Sequence, residues 1–161
     1  GADGFPKNRV LLLKEFSEEG FVFYTNYRSE KGRAIETNNK VSLSFYWPQL
    51  ERQVIIKGHA QKISNEESEE YFHSRPKGSQ LGAYVSDQSS VIPDRDSLEL
   101  KLRKAEKEFA DAPVPKPKDW GGYIVVPCEM EFWQGRENRL HDRIRFTLKS
   151  SKNWQKERLA P

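Results

Sequence analysis

Apolar and polar positions alternate along this chain in short blocks, the lengths of strands and small helices rather than of long helices. Arg9 to Lys14 is an apolar run ending in a lysine, and Gly20 to Thr25 (GFVFYT) follows after the polar link Ser17-Glu18-Glu19. The two read as paired strands. Val41 to Trp47 (VSLSFYW) begins with apolar-polar alternation, the pattern of a strand with one buried face. Arg52 to Lys62 (RQVIIKGHAQK) is another strand, with Gly58 as the expected bend or bulge. The opening Gly1-Ala2-Asp3-Gly4-Phe5-Pro6 reads as a turn feeding a strand.

Helix signals fall between these blocks. Ser29 can cap a short helix to about Thr37, broken by Asn38-Asn39. Ser64-Asn65-Glu66-Glu67 is a capping box, so a helix is expected from Asn65 to about Ser74, ending before Pro76. Gln80 to Ser86 adds a short helix, and Asp96 with Glu99 caps a charged one to about Phe109. Pro113 to Lys118 is a linker. Tyr123–Pro127, Met130–Gln134, Arg143–Leu148 and Trp154–Leu159 then read as four closing strands. Seven or eight short strands with two or three inserted helices predict one mainly-β (α+β) domain. Its simplest form is an antiparallel barrel with helical decoration.

Composition narrows the function. The chain has 161 residues, enough for one domain with a real core, yet only 35% are apolar and 32% are charged. Either much of the surface is therefore polar, or part of the apolar face is covered by another chain. A net charge of +3, from 27 basic and 24 acidic residues, is too mild to imply nucleic acid. Cys128 is the only cysteine and the three histidines show no ligand spacing, so no metal site is expected. Without a disulfide framework or an apolar run of about 20 residues, a cytoplasmic protein with no membrane partner is the expectation.

Two constellations carry candidate chemistry. In the segment Glu131 to Arg143, alternation along an extended chain would put Arg139, His141 and Arg143 on one face, against a planar anionic ligand. The alternative is a solvated basic strand. Tyr71 and Arg75 are four apart at a helix end, with Ser79 just beyond Pro76. Phenol, guanidinium and hydroxyl suit the oxygens of a phosphate monoester. An arginine offsetting a helix dipole is the equal alternative on the residues alone. Lys14 ends its strand, and Gln88-Ser89-Ser90 could bind an anion or be a polar loop. No nucleotide-binding glycine motif is present, so redox chemistry would have to come from a bound cofactor.

RVLLLK (9–14), FYTN (23–26), ERQV (51–54), YFHSRPKGSQLGA (71–83), QSSVIP (88–93), WGGY (120–123), EFWQG (131–135), NRLHDR (138–143) and the terminal RLAP, taken in order, resemble the pyridoxine 5′-phosphate oxidase family. The resemblance implies a split β-barrel homodimer with FMN at the interface. The implied reaction converts pyridoxine 5′-phosphate or pyridoxamine 5′-phosphate to pyridoxal 5′-phosphate, with O2 as acceptor and hydrogen peroxide as product. It places Arg9, Lys31, Gln88 and Ser89 around the FMN phosphate and ribityl chain, and Val10, Leu11, Leu12, Tyr24 and Thr25 along the flavin. Gln53, Trp133 and Arg143 match contacts to the flavin itself. Lys14, Tyr71, Arg75 and Ser79 match the substrate-phosphate site, and Arg139 and His141 lie over the substrate ring, with Arg139, His141 and Arg143 as the catalytic set. Where the family usually carries Ser-Arg-Lys, this chain has Ser29-Glu30-Lys31. The resemblance also implies an N-terminal segment, before Asp3-Gly4, that this sequence is expected to lack. A non-catalytic flavin- or B6-phosphate-binding split barrel is the alternative function, separated from the oxidase by peroxide production.

Overall fold

The chain, a computed structural model, is described over residues 4–150 and 153–161. Among the described residues are seven strands: β1 (Glu15–Phe16), β2 (Phe21–Asn26), β3 (Lys40–Trp47), β4 (Arg52–Lys62), β5 (Trp120–Gln134), β6 (Asp142–Ser150) and β7 (Asn153–Leu159). Four α-helices join them: α1 (Glu30–Thr37), α2 (Asn65–Ser74), α3 (Lys77–Val85) and α4 (Arg95–Glu108). All strand pairs are antiparallel.

The 15-residue β5 organises the sheet. One edge pairs with β4 along its length, from Arg52↔Gln134 to Lys62↔Tyr123. The other edge is divided: β2 takes the first half (Asn26↔Trp120 to Phe21↔Val125) and β6 the second (Glu129↔Thr147 to Gln134↔Asp142). A sheet whose central strand serves two different partners on one edge curls and opens between them, which is the split in this antiparallel split β-barrel. The β4–β5 register shifts between Lys57 and Gly58, so Cys128 is the extra residue of a bulge. Glycine is required there, because a Cβ on Gly58 would lie 2.3 Å from the Val126 carbonyl oxygen.

Two apolar clusters hold the layers. Phe23, Ala60, Tyr123 and Val125 fill the curl, with Ile35 of α1 against them. Phe72, Leu81, Ala105, Phe109, Val114 and Trp120 pack α2, α3 and α4 onto the start of β5. The capping box of α2 forms as its sequence predicts: Ser64 Oγ accepts from Glu67 N at 3.0 Å, and Glu67 accepts from Ser64 N at 3.0 Å.

Several expectations need correction. Arg9–Lys14 is not a strand; only Glu15–Phe16 is, although Lys14 N donates to Val22 O at 2.9 Å. Val10 and Leu12 are 99% and 69% exposed, and of the run's apolar residues Leu11 alone packs against the Phe23–Val125 cluster. The two strands expected over 123–127 and 130–134 are one, since the bulge absorbs the Pro127-Cys128 break. Among the described residues there are four α-helices rather than two or three. The third begins at Lys77 and not Gln80, with Pro76 at its N-cap. The fourth is capped by Asp94, which accepts from Ser97 N at 2.7 Å, and not by Asp96. The first three residues of the opening turn lie outside the described residues. No helix among the described residues is long and apolar enough to cross a membrane.

Candidate functional site

A cavity of about 630 Å³ opens between the segment before β1, the end of β2, and helices α2 and α3. Its lining includes Lys14, Tyr24, Tyr71, Arg75, Ser79 and Trp120. Arg75 follows α2 as its C-cap, where the backbone turns extended ahead of Pro76 and throws the side chain back over the core. Its guanidinium sits 4.8 Å from the centroid of the Trp120 ring and 5.7 Å from that of Phe72. Burial lowers its pKa from the usual arginine value. Nη1 is buried with no hydrogen-bond partner among the described residues. A desolvated, unpaired guanidinium nitrogen is costly, and an anion in the cavity would relieve that cost.

The rings beside Arg75 form a stack. Tyr24 lies 3.9 Å from Tyr71 and 5.3 Å from Trp120, all near parallel. Burial, then the neighbouring Tyr71, pushes the Tyr24 phenol up to about 12. It therefore remains a neutral donor at any ordinary pH.

One end of this cavity is a polar cradle. Lys31 Nζ, from the first turn of α1, donates to Thr25 Oγ1 at 2.9 Å and to Gln88 Oε1 at 3.2 Å. Thr25 Oγ1 and Asn26 N donate to the same Gln88 oxygen at 2.9 and 3.3 Å. Burial, and then the positive charge of Arg9, lower the Lys31 pKa. Two cations near one another over a set of neutral donors suit a phosphate. Ser89 follows with φ +71°, in the left-handed region, and re-aims the loop behind Gln88.

A second concavity, of about 550 Å³, lies against β4, β5 and β6. Gln53, Trp133, Trp47, Arg136 and Asp142 are among its lining residues, and none of them lines the first cavity. The His141 ring is 4.8 Å from that of Trp133, and His141 Nδ1 accepts from Arg136 N at 3.1 Å. That leaves Nε2 for a ligand. Asp142 is bonded by Arg136 at 2.8 Å and Arg158 at 2.6 Å, which hold its carboxyl below the usual carboxylate value.

The resemblance-derived residues thus fall into two groups. Val10, Leu11, Leu12, Lys14, Tyr24, Thr25, Tyr71, Arg75, Ser79 and Gln88 share the first cavity, with Lys31 bonded to its edge. Gln53 and Trp133 line the second, with His141 beside them. The single face expected for Arg139, His141 and Arg143 does not form by alternation. A 3-10 turn, Glu137–Arg139, precedes β6, with Asn138 and Arg139 at φ +55° and +60°. Arg143 alone is in the strand. It is held by a two-bonded fork to Glu131 (2.8 and 3.1 Å) and by the Ala160 carbonyl at 3.1 Å. The Glu131 bonds, and then its negative charge, raise the Arg143 pKa, keeping it a permanent cation.

Sequence reasoning missed Trp120 as the floor under Arg75. Its signal was the following Gly121-Gly122, where a Cβ would meet Tyr27 Oη at 2.2 Å and the Ile63 side chain at 2.5 Å, so the strand start lies close under its neighbours.

A family profile described as pyridoxamine 5′-phosphate oxidase matches residues 1–108. A second, the pyridoxine 5′-phosphate oxidase C-terminal dimerisation region, matches residues 120–161. The chain belongs to the pyridoxamine 5′-phosphate oxidase family. Relatives named pyridoxine/pyridoxamine 5′-phosphate oxidase include one from Flavobacterium johnsoniae, 64% identical over 99% of this chain and 75% of its own. One from Christiangramia forsetii is 57% identical over 100% of this chain and 75% of its own. Among solved structures, PhzG from Burkholderia lata in complex with tetrahydrophenazine-1-carboxylic acid superposes with a TM-score of 0.91 at 28% identity. That match covers 99% of this chain and 78% of PhzG. A pyridoxamine 5′-phosphate oxidase-related, FMN-binding protein from Nostoc punctiforme gives 0.79 at 17% identity, covering 99% and 83%, and supports the fold.

Proposed function

We propose that this family member is an FMN-dependent oxidase that converts pyridoxine 5′-phosphate and pyridoxamine 5′-phosphate to pyridoxal 5′-phosphate. The observation that carries the reading is Arg75, with its Nη1 buried and unpaired, in the lining of a cavity that adjoins the Lys31–Thr25–Gln88 cradle. Two anion-seeking groups along one cavity suit two phosphates, one on the cofactor and one on the substrate. The donor set therefore fits FMN.

FMN, when bound, would supply the acceptor for the hydrogen and electron pair leaving substrate C4′ and the route of those electrons to O2, with hydrogen peroxide as the product. The alcohol plus O2 yields aldehyde plus peroxide; the amine also consumes water and releases ammonia. Arg9, Lys31, Gln88 and Ser89 hold the cofactor phosphate and ribityl chain. Val10, Leu11, Leu12, Tyr24 and Thr25 flank the flavin, while Gln53, Trp133 and Arg143 complete its surround. Arg143 supplies a fixed positive charge, stabilising negative charge that develops nearby. Lys14, Tyr71, Arg75 and Ser79 grip the substrate phosphate; Arg139 and His141 orient the substrate ring, where positioning has most leverage.

The two concavities share no lining residue, so we infer that one subunit's first cavity meets the partner's second. The exposed Tyr46, Trp47, Leu50 and Phe132 around the second concavity form the apolar surface that a homodimer would cover. FMN then lies at the interface. The test is turnover of pyridoxine 5′-phosphate in air by the flavin-loaded protein. Equal amounts of pyridoxal 5′-phosphate and peroxide support the oxidase. Bound FMN with no product would favour a binding protein instead.

A further inference from the structure

Glu30 opens α1, at the position where the family pattern has an arginine. Its carboxylate does not turn into the cradle. Lys7 Nζ donates to Oε1 at 2.7 Å, and Arg9 Nη2 donates to Oε2. Both cations come from the segment ahead of β1, more than twenty positions away in sequence. A carboxylate in the first turn is itself favourable there, since the helix N-terminus is the positive end of the dipole. Ser29 fixes that turn by accepting from Gly32 N at 3.2 Å. Glu30 thus ties a segment with little regular structure to a rigid helix end.

The tie bears on Arg9 and Lys31 together. Glu30 and Lys31 are adjacent in the first turn of α1, so the Glu30 bond brings Arg9 to the same helix end, where its positive charge, after burial, lowers the Lys31 pKa. Arg9 spends one N–H on Glu30 and another on the Asn8 carbonyl at 2.7 Å. A guanidinium carries five N–H donors, so three remain for a ligand.

We propose that Glu30 is a positioning residue for the FMN phosphate: its carboxylate holds Arg9 beside Lys31 and offsets their repulsion, assembling the cradle before the phosphate arrives. The proposal rests on the reading that this cradle takes the phosphate of FMN. In the family's usual pattern a further arginine would bind the phosphate directly. Here the same helix position instead organises a cation supplied by the neighbouring segment.

Flavin fluorescence quenching measures FMN affinity of the apo-protein independently of turnover. The set is wild type, Glu30→Gln, Arg9→Gln and the double variant, with circular dichroism to establish that each is folded. Arg9→Gln should weaken FMN roughly tenfold or more, as loss of a charge-assisted bond does. Glu30→Gln should weaken it about three- to fivefold, the scale of a partly exposed ion pair. The double variant should match Arg9→Gln alone, because Glu30 acts through Arg9. Unchanged or tighter FMN binding in Glu30→Gln would overturn the proposal, by making the carboxylate a bystander or a competitor of the phosphate. An equal loss from Glu30→Gln in both backgrounds would overturn it too, as a merely structural effect. If Arg9→Gln leaves FMN affinity unchanged, the phosphate assignment beneath the proposal fails, and the proposal with it.

Discussion

Replacing Arg75 with alanine should separate the two proposed phosphate sites. The side chain lies across Trp120 and Phe72 with Nη1 buried and unpaired, so truncation leaves no buried partner group without its bond. The Gln80 amide bonds the Arg75 backbone carbonyl at 2.8 Å, a contact that alanine keeps, so the turn into α3 should persist. What disappears is a charge-assisted bond to the substrate phosphate, about 1.5–3 kcal/mol. At about 1.4 kcal/mol per tenfold, KM for pyridoxine 5′-phosphate should rise roughly tenfold to a hundredfold. FMN affinity should stay within about twofold, because the Lys31–Thr25–Gln88 cradle does not bond Arg75. Steady-state peroxide kinetics give the first quantity and flavin fluorescence titration the second. A KM within threefold of wild type, or an FMN affinity that falls as far as substrate affinity, would refute the assignment.

Composite sites at a dimer interface predict complementation: Arg75→Ala and Arg139→Ala, each strongly impaired alone at substrate well below the raised KM, should recover up to about a quarter of wild-type activity there when co-expressed, since half the dimers carry one intact site of two. No recovery would place both side chains in one subunit's site. Gly32→Ala should destabilise the chain by about 1–3 kcal/mol in urea unfolding, because its Cβ would sit 2.1 Å from the Tyr27 carbonyl oxygen, outweighing the roughly 1 kcal/mol an alanine ordinarily adds to a helix; a raised urea midpoint would contradict this. Tyr24 and Tyr123 have phenols pushed up to about 12, first of all by burial. With folded pKa values above the unfolded value near 10, the unfolded chain loses these protons first, so their contribution to stability should be present below about pH 10 and decline as pH rises towards 12. Absorbance titration at alkaline pH should show two phenols ionising late, and a stability flat across that range would contradict the prediction.

Local chemistry was the most legible part of this fold. The α2 capping box and the Gly58 bulge are set by residues a few positions apart, and both stand where the sequence puts them. Arg9–Lys14 misled because its apolar content suggested a strand paired with the next, whereas Val10 and Leu12 are exposed, Leu11 packs inward, and regular pairing begins only at Glu15. Alternation failed across 139–143 for a different reason: two left-handed residues turn the chain before β6 begins. Tyr71, Arg75 and Ser79 were legible as neighbours, because four-residue spacing at a helix end already puts two of them together, and all three line one cavity. The stack of Tyr24 on Tyr71, the Trp120 floor and the Glu30 ion pairs join residues from different elements. Such long-range juxtapositions carry no local signature. The separation of Gln53 and Trp133 from the first cavity was equally invisible, since only the divided pairing of β5 creates it.

Anaerobic mixing of the FMN-loaded protein with pyridoxine 5′-phosphate in a stopped-flow spectrometer tests the central claim most directly. The account predicts bleaching of the oxidised flavin band with one pyridoxal 5′-phosphate formed per FMN, and return of the band with one peroxide released when O2 is admitted. A flavin that stays oxidised in the presence of saturating, demonstrably bound pyridoxine 5′-phosphate would contradict it.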